Sequence, residues 1–396
     1  HRPREARGGN HGRGGPPTGP GIPLRRAARP LTVFPTASPA AAPTGITMTG
    51  PSANGSTRGT AAPEAVVRFL TGVRARIGTV VVGQDVVVER ILIALLTSGH
   101  LLLEGVPGLA KTLLVSCLAK SIALKFARIQ FTIDLLPSDI LGSEILDQRA
   151  NEFRVNRGPV FTNLLLADEI NRAAPKVQSA LLEAMQERRV TIGKEAFPLP
   201  SPFLVIATQN PVEQAGTFEL PEAQLDRFML RHRLVYPTPD EEREVLRRNM
   251  ALGVKRDGGG ATARTEFDVL AEEPVGTIDD LVAAMEAAAA VHVSDTFLEH
   301  VVDAVTRTRS HPDLELGASP RAGIALIKAA KARALVLGRG YVVPDDLYAL
   351  APDVILHRIR LTYEALADGK RGDDVLRDIL HDLTRGAPKP AAAARN

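Results

Sequence analysis

The sequence predicts an α/β domain built on a parallel sheet, followed by a smaller helical domain and preceded by a disordered tail. Three observations lead to this fold class. Between residues 63 and 236, short apolar runs alternate with helical patterns, which favours parallel strands with helices on both faces. After Tyr236 only helical periodicity continues, so we expect no further strands. Residues 1–62 are rich in Pro and Gly and follow neither period.

The tail carries the net charge of the chain. Formal net charge is +3 over 396 residues, but residues 1–47 hold seven Arg against Glu5 alone. Residues 48–396 are therefore net −3, which argues against a nucleic-acid partner for the folded part. The first Met is Met48, so one hypothesis is that translation starts there, and a flexible basic tail is the alternative.

Composition excludes several classes of protein. A single Cys rules out a disulfide scaffold and a zinc site built from Cys. No run approaches the roughly 18 apolar residues of a membrane span, so we expect a cytoplasmic protein. Hydrophobic residues at 44% supply a core, and the length suggests two or three domains. The expected units are a tail (1–62), a core (63–236), a helical domain (237–386) and a flexible C-terminal tail (387–396).

The predicted elements follow from these patterns. Strands are expected over apolar runs at 101–103, 126–133, 164–167 and 203–207. Core helices are expected from residue 63, over 84–98, from residue 112 and over 174–189. The second domain has helical patterns at 239–251, 277–290, 294–310, 320–337 and 344–359. Residues 255–264 contain consecutive glycines and are expected to form a loop.

A phosphate loop is the strongest signal of function. An apolar strand, a Gly-containing turn and a Lys-Thr pair precede a helix. The expected nucleotide contacts are Gly105, Val106, Pro107, Gly108, Leu109, Ala110, Lys111 and Thr112. Small residues let backbone N–H groups approach a triphosphate, Lys111 reaches its phosphates, and Thr112 offers a hydroxyl to Mg²⁺. The alternative is a Gly-Pro turn that precedes Lys-Thr by chance.

The loop departs from the usual pattern at Ala110, where Gly normally precedes the Lys. Alanine is compatible with this position if its φ angle is negative. The substitution leaves the nucleotide affinity of the loop open.

Acidic and amide side chains follow two further strands. Asp168 and Glu169 end the third apolar run, where one carboxylate can support Mg²⁺ and the next can take a proton from water. Asn210 follows the fourth run at the ligand edge of the sheet, where it can orient that water. A solvent-edge acid pair and a turn Asn before Pro211 are the alternatives.

Arg227 lies on a short predicted helix, 221–228. An Arg from a neighbouring subunit can stabilise charge on a transferring phosphoryl group, because its planar fork matches phosphate geometry. A surface Arg is the alternative.

These segments, in this order, resemble the MoxR family of AAA+ ATPases over roughly residues 63–385. The segments that carry the resemblance are Gly105–Thr112, Leu166–Ala173, Gln178–Met185, Ala207–Pro211 and Leu225–Phe228. The resemblance implies a P-loop AAA+ core with a helical lid. It also implies two insertions, one near 141–158 with a strand at 153–155 and one hairpin at 189–199.

The resemblance also implies roles for individual residues. Asp168 supports the metal, Glu169 activates water, Asn210 is the first sensor, and Arg227 is an arginine finger. Val82, Gly83 and Gln84 match the stretch that borders adenine. Arg321, in the segment 317–321 that opens a helix, resembles the second sensor, acting in its own site or in a neighbour's.

The function implied is ATP hydrolysis with Mg²⁺, in a homo-oligomer that is a hexameric ring, coupled to chaperone-like remodelling or maturation of partner proteins. Partners with a von Willebrand A domain are typical of the family. The alternatives are the ATPase subunit of a metal chelatase, a nucleic-acid motor, and a scaffold that binds ATP without turnover. Glu169, Asn210 and Arg227 together argue against the scaffold, because binding alone requires none of them.

Overall fold

The computed structural model describes residues 62–106, 108–148, 151–211, 216–257, 260–270 and 273–384. The tails predicted over 1–62 and 387–396 lie outside these ranges, except for Ala62. Within them, no helix is long and apolar enough to cross a membrane.

The described helices and strands are as follows. The helices are α1 (Glu64–Gly78), α2 (Asp85–Leu96), α3 (Lys111–Ser121), α4 (Pro137–Leu141), α5 (Pro175–Glu187), α6 (Glu222–Leu225), α7 (Pro239–Met250), α8 (Ile278–Ala290), α9 (Asp295–Ser310), α10 (Pro320–Val336), α11 (Pro344–Ile355), α12 (Tyr363–Ala367) and α13 (Gly372–Thr384). The strands are β1 (Leu101–Glu104), β2 (Phe126–Gln130), β3 (Gly142–Asp147), β4 (Glu152–Arg157), β5 (Leu164–Asp168), β6 (Arg189–Ile192), β7 (Glu195–Pro198), β8 (Leu204–Gln209), β9 (Leu230–Arg233), β10 (Val254–Asp257), β11 (Gly260–Ala263), β12 (Leu314–Leu316) and β13 (Arg360–Leu361).

The central sheet is parallel and has the strand order β2-β5-β8-β1-β9. Alternate side chains of each strand enter two different apolar clusters. In β1, Leu101 and Leu103 point to one face and Leu102 to the other, and all three are fully buried. Continuous apolar strands are what a sheet covered on both faces requires. The prediction of a parallel sheet flanked by helices is confirmed.

The larger apolar cluster continues from the sheet into the lid. It joins residues of α1, α2 and α3 to residues of α8, α9, α10 and α11. Helix α10 contacts α2 directly, and the fully buried Ala329, Ala330 and Leu335 lie in this shared cluster. Small alanine side chains let the two helices approach closely. Core and lid therefore share one hydrophobic interior.

Local sequence explains where the lid helices begin. Thr238 and Glu241 cap α7 reciprocally, and Thr277 and Asp280 do the same for α8. Such capping boxes satisfy backbone N–H groups that the first turn of a helix leaves unpaired. Helix α10 begins with Pro320, whose fixed φ suits a first turn.

The expectation that no strand follows Tyr236 is wrong, although the lid is helical as predicted. β10 and β11 form an antiparallel hairpin across the predicted loop 255–264, and β12 pairs with β13. The sequence pattern does not separate the two cases, because consecutive glycines are typical of tight hairpin turns as well as of loops. Sequence analysis also missed β9 and α13.

Two hairpins are inserted into the core, as the resemblance implied. β3 pairs with β4, and β6 pairs with β7. The guanidinium of Arg157 lies 5.2 Å from the ring centre of Phe161 and 5.1 Å from that of Phe197. Cation–π attraction of this kind ties the first hairpin to the second.

Candidate active site

The chemistry-bearing segments meet at the carboxyl edge of the sheet. Strand β8 lies between β1 and β5, so the phosphate loop after β1 and the acids at the end of β5 flank it. In parallel sheets this edge is where ligands bind. The strand order therefore brings Lys111, Asp168, Glu169 and Thr208 to one place.

The phosphate loop leads directly into α3, whose first residue is Lys111. The Lys111 ammonium donates a hydrogen bond of 2.9 Å to the carbonyl oxygen of Gly105, at the start of the loop. Burial lowers the pKa of Lys111, while the carboxylates of Asp168 and Glu169 oppose that shift. Thr112 follows in the first turn of α3, and Pro107 lies outside the described residues. The loop thus places a cation and a helix N-terminus together.

Ala110 adopts a left-handed backbone conformation, with φ 53° and ψ 23°. The condition under which alanine was compatible with this position, a negative φ, is not met. Gly108, two residues earlier, also has a positive φ, so the loop adopts left-handed backbone conformations twice before α3 begins. A Cβ in this conformation costs about 1 kcal/mol.

Asp168 is held by two side chains, those of Thr208 and Arg128. Its Oδ1 accepts a hydrogen bond of 2.6 Å from the Thr208 hydroxyl, and its Oδ2 accepts one of 2.6 Å from Nη2 of Arg128. Asp168 is buried, so both contacts compensate for lost hydration. The carboxylate therefore has a defined orientation at the end of β5.

Thr208 also holds the backbone of Glu169. Its hydroxyl oxygen accepts a hydrogen bond of 2.9 Å from the Glu169 N–H. Glu169 is left-handed at φ 57°, ψ 49°, which is uncommon for a residue with a Cβ. The fully buried Thr208 hydroxyl thus bridges both acids, donating to one and accepting from the other.

The Glu169 carboxylate is occupied in this structure. Its Oε2 accepts a hydrogen bond of 2.8 Å from the Gln130 amide and pairs at 2.8 Å with Nε of Arg172. Asn210 is buried two residues beyond Thr208, and its backbone carbonyl lies 3.5 Å from the amide nitrogen of Asn171. The hydrogen bond from Gln130 holds the Glu169 carboxylate against β2.

Val82, Gly83 and Gln84 immediately precede α2. Gly83 has φ 71°, and an added Cβ there would lie 2.6 Å from the carboxyl carbon of Glu241 on α7. The positive φ favours glycine at this position, and a larger residue would also have to displace the Glu241 carboxylate. Gln84 is buried.

Arg227 and Arg321 belong to a second group of residues. Nε of Arg227 donates a hydrogen bond of 3.0 Å to the Gln186 side-chain carbonyl. A groove of about 480 Å³ beside it is lined by Ser179, Glu183, Gln186, Glu187, Ala223, Gln224 and Arg227. Arg321, the second residue of α10, pairs at 3.3 Å with Asp226, directly before Arg227. Among the described residues, no hydrogen bond or ion pair joins either Arg to the phosphate loop.

Sequence analysis missed several of these residues. Arg128 and Gln130 alternate along β2, so they share one face of the strand at the ligand edge. The sequence pattern at 126–133 predicts only an apolar strand, although two polar side chains at alternate positions are a usable signal of a functional face. Thr208 belongs to the segment Ala207–Pro211, for which the sequence predicts a role only at Asn210.

Two family models match this architecture. Residues 100–230 match the "ATPase family associated with various cellular activities (AAA)", and residues 306–379 match the "AAA lid domain". The first range holds strands β1, β2, β5 and β8 of the parallel sheet and ends at the first residue of β9, and the second lies in the helical lid. The fold and the site therefore define an AAA ATPase.

Similar known proteins indicate to which family of AAA ATPases the chain belongs. Chaperone MoxR1 of Mycobacterium tuberculosis is 47% identical over 313 residues, covering 77% of this chain and 79% of that protein. The uncharacterised protein YeaC of Bacillus subtilis is 45% identical, covering 77% of this chain and 91% of that protein. The crystal structure of a candidate ATPase from Cytophaga hutchinsonii has a TM-score of 0.71 at 43% identity, covering 80% of this chain and 96% of that one. The chain belongs to the MoxR family of AAA+ ATPases.

Proposed function

We propose that this ATPase hydrolyses ATP with Mg²⁺ at sites shared between the subunits of a hexameric ring, and that hydrolysis drives remodelling or maturation of partner proteins. One observation carries the proposal. Lys111, Asp168 and Glu169 form one group at the sheet edge, whereas Arg227 and Arg321 form a separate group. A complete phosphoryl-transfer site needs both groups, and a neighbouring subunit can supply the second.

Phosphate binding falls to the loop and α3. The N–H groups of the first turn and the positive end of the helix attract the triphosphate. Lys111 would exchange its bond to the Gly105 carbonyl for phosphate oxygens. Val82, Gly83 and Gln84 would border the adenine base, and the rest of Gly105–Ala110 would line the phosphates.

The oxygen donors present fit Mg²⁺. The described residues include no group of three or more His, Cys, Asp and Glu side chains that would form a protein cage for a metal. Mg²⁺ does not require one, because it keeps waters and binds phosphate oxygens beside one or two protein donors. Thr112 and Asp168 would hold it. Bound there, the ion would neutralise phosphate charge.

Glu169 would act as general base. Its carboxylate must first leave Gln130 and Arg172, so the contacts in this structure describe a resting arrangement. Asn210 would orient the attacking water. The hydroxyl of Thr208 keeps the backbone of Glu169 in place while the carboxylate turns.

Arg227 would act in the neighbouring subunit's site. Arg321 is fastened to Asp226, next to Arg227, and this proximity favours action of Arg321 in trans as well. Two guanidinium groups on one face suit the charge that develops on a transferring phosphoryl group. Heterologous contacts that close give a ring.

Protein clients are favoured over the alternatives. The relative MoxR1 is named a chaperone, which supports a role in partner maturation, and proteins with a von Willebrand A domain are the first clients to test. A chelatase subunit would share the same motifs. A nucleic-acid motor is disfavoured by the net charge of −3 over residues 48–396.

Steady-state phosphate release tests this proposal. Specific activity of the wild type should rise with protein concentration, and Glu169→Gln should bind ATP without turning it over. Mixing Glu169→Gln with Arg227→Ala should restore activity, because one chain supplies the finger and the other the base. Specific activity independent of concentration, together with no restoration in rings shown to be mixed, would contradict shared sites.

A further inference from the structure

A buried Arg of the lid holds the segment that carries Arg227. Arg358 follows α11 and is 3% exposed at its side chain. Its Nε donates to Asp226 Oδ1 at 2.7 Å, and Nη2 donates to the Phe228 carbonyl at 2.8 Å. Nη1 donates to the carbonyls of Met229, at 3.3 Å, and Val354.

A fifth bond saturates this guanidinium. Nη2 also lies 3.4 Å from the Asp226 carbonyl oxygen, so all five N–H donors of Arg358 have an acceptor. Two of the residues bonded, Asp226 and Phe228, directly flank Arg227, and a third, Met229, is the next residue along the chain. A lysine could not reproduce this planar fork.

Two further lid side chains bind the same segment. Nε2 of His357 lies 3.1 Å from the Phe228 carbonyl, and burial keeps the pKa of His357 well below its ordinary value, so the neutral ring donates this bond. Arg321 pairs with the second carboxylate oxygen of Asp226. Side chains of the lid therefore bind the chain on both sides of Arg227.

The charges of this arrangement are divided unequally. The Asp226 carboxylate lies between two guanidinium groups, which balance its negative charge. The Nε of Arg227, in contrast, donates to the neutral carbonyl of Gln186, and among the described residues no carboxylate lies within ion-pair distance of its guanidinium. Asp226 thus anchors the segment, while Arg227 remains able to bind an anion.

We propose that Arg358 and Asp226 are positioning residues for the arginine finger, Arg227. The lid of one subunit would thereby fix the position at which Arg227 enters the active site of the next subunit. This inference rests on the proposed function, in which Arg227 acts in trans. Among the described residues, no hydrogen bond or ion pair joins either residue to the phosphate loop of its own subunit. A change of lid orientation would displace Arg227, and displacements near 1 Å cost about 100-fold in rate.

Mixed rings test this inference. A Glu169→Gln chain serves as finger donor and an Arg227→Ala chain as acceptor, and phosphate release from ATP is measured on the mixture. Adding Asp226→Asn to the donor should lower the restored rate at least about tenfold. Adding it to the acceptor should leave the rate within about threefold, because that chain offers no finger.

The donor and acceptor placements distinguish positioning from general damage. A substitution that only destabilises the fold would lower the rate equally in both chains, and that result would overturn the inference. Glu222→Gln is the matched control, because Glu222 lies on α6 and its partner Arg360 is exposed. It should have no effect in either chain.

Arg358→Lys provides the reciprocal variant and should reproduce the donor-only loss. If that buried substitution does not fold, Asp226→Asn alone decides. An unchanged rate with Asp226→Asn in the donor would overturn the inference while leaving shared sites intact. No restoration by the parent pair of variants would instead contradict the proposed function itself.

Discussion

At the scale of single residues, Thr208 organises the catalytic edge. One buried hydroxyl donates to Asp168 and accepts from the Glu169 backbone. The bond to the Asp168 carboxylate involves a charged group and is worth about 1.5–3 kcal/mol, whereas the bond from the neutral Glu169 N–H is worth about 0.5–1.5 kcal/mol. The geometry of the two acids therefore depends on one oxygen atom.

Thr208→Val should lower the rate of ATP hydrolysis about 10- to 100-fold, because it keeps the shape and removes both hydrogen bonds. Thr208→Ser keeps the hydroxyl and should stay within about threefold of wild type. The checks are steady-state phosphate release and ATP affinity, which should be similar in both variants. If Ser is as defective as Val, packing of the Thr methyl group is responsible instead.

Ala110→Gly should raise the free energy of unfolding by up to about 1 kcal/mol, because glycine adopts a positive φ without strain. Chemical denaturation of the two proteins measures the difference. Ala123 has the same φ of 53° and lies outside the phosphate loop, so Ala123→Gly is a matched control with a similar expected gain. A loss of stability in both would show that chain entropy outweighs the strain.

At the scale of elements, β2 acts on the site through two alternate side chains. Arg128 holds Asp168, and Gln130, which lies opposite Asp168 in the register of β2 and β5, holds Glu169. An edge strand of the sheet thus restrains both acids in the resting arrangement. Releasing one restraint should change turnover without changing nucleotide binding.

Gln130→Ala should raise basal hydrolysis about two- to fivefold, because it removes one of two contacts on the Glu169 carboxylate. The measurement is the rate at saturating ATP, with ATP affinity determined in parallel. In a Glu169→Gln background the same change should have no effect. A fall in the rate would mean that Gln130 helps to place Glu169 for proton transfer.

At the scale of the whole molecule, buried ion pairs join the core to the lid. Arg90 of α2 binds Asp353 of α11, and Glu89 of α2 pairs at 3.0 Å with Arg333 of α10. His232 of β9 also contacts Asp353, at 2.9 Å. Together with the shared apolar cluster, these pairs make the lid part of one folding unit with the core.

Asp353→Asn should lower the free energy of unfolding by about 2 kcal/mol, because it removes one of the two carboxylates that pair with the buried Arg90 and leaves only Glu89. Burial opposes ionisation of Asp353, yet His232 and Arg90 lower its pKa below the ordinary 3.8. The stabilisation is therefore complete above about pH 4 and is lost as pH falls through the lower folded value.

Thermal unfolding of wild type and Asp353→Asn between pH 7 and pH 3 checks this prediction. The difference between the two proteins should be constant at high pH and shrink only at the acid end. Asp240→Asn, which removes an exposed partner of Arg243, should change stability by less than about 0.5 kcal/mol. A difference that is absent at pH 7 would contradict the role assigned to Asp353.

Much of this molecule could be predicted from local sequence. Short apolar runs indicated four strands of the sheet, and the order of the motifs predicted that Lys111 and Asp168 lie at one edge of it. The positive φ of Ala110 and the contacts of Arg358 could not be predicted this way. The first depends on the exact path of the loop, and the second joins residues 132 positions apart.

The Asp226–Arg358 pair has a consequence for how this sequence can evolve. A lineage that loses Asp226 keeps the buried charge of Arg358 without a carboxylate, so single replacements at position 226 should be removed by selection. In relatives, positions 226 and 358 should either stay fixed or change together. Glu222 and Arg360, an exposed pair nearby, should drift independently of each other.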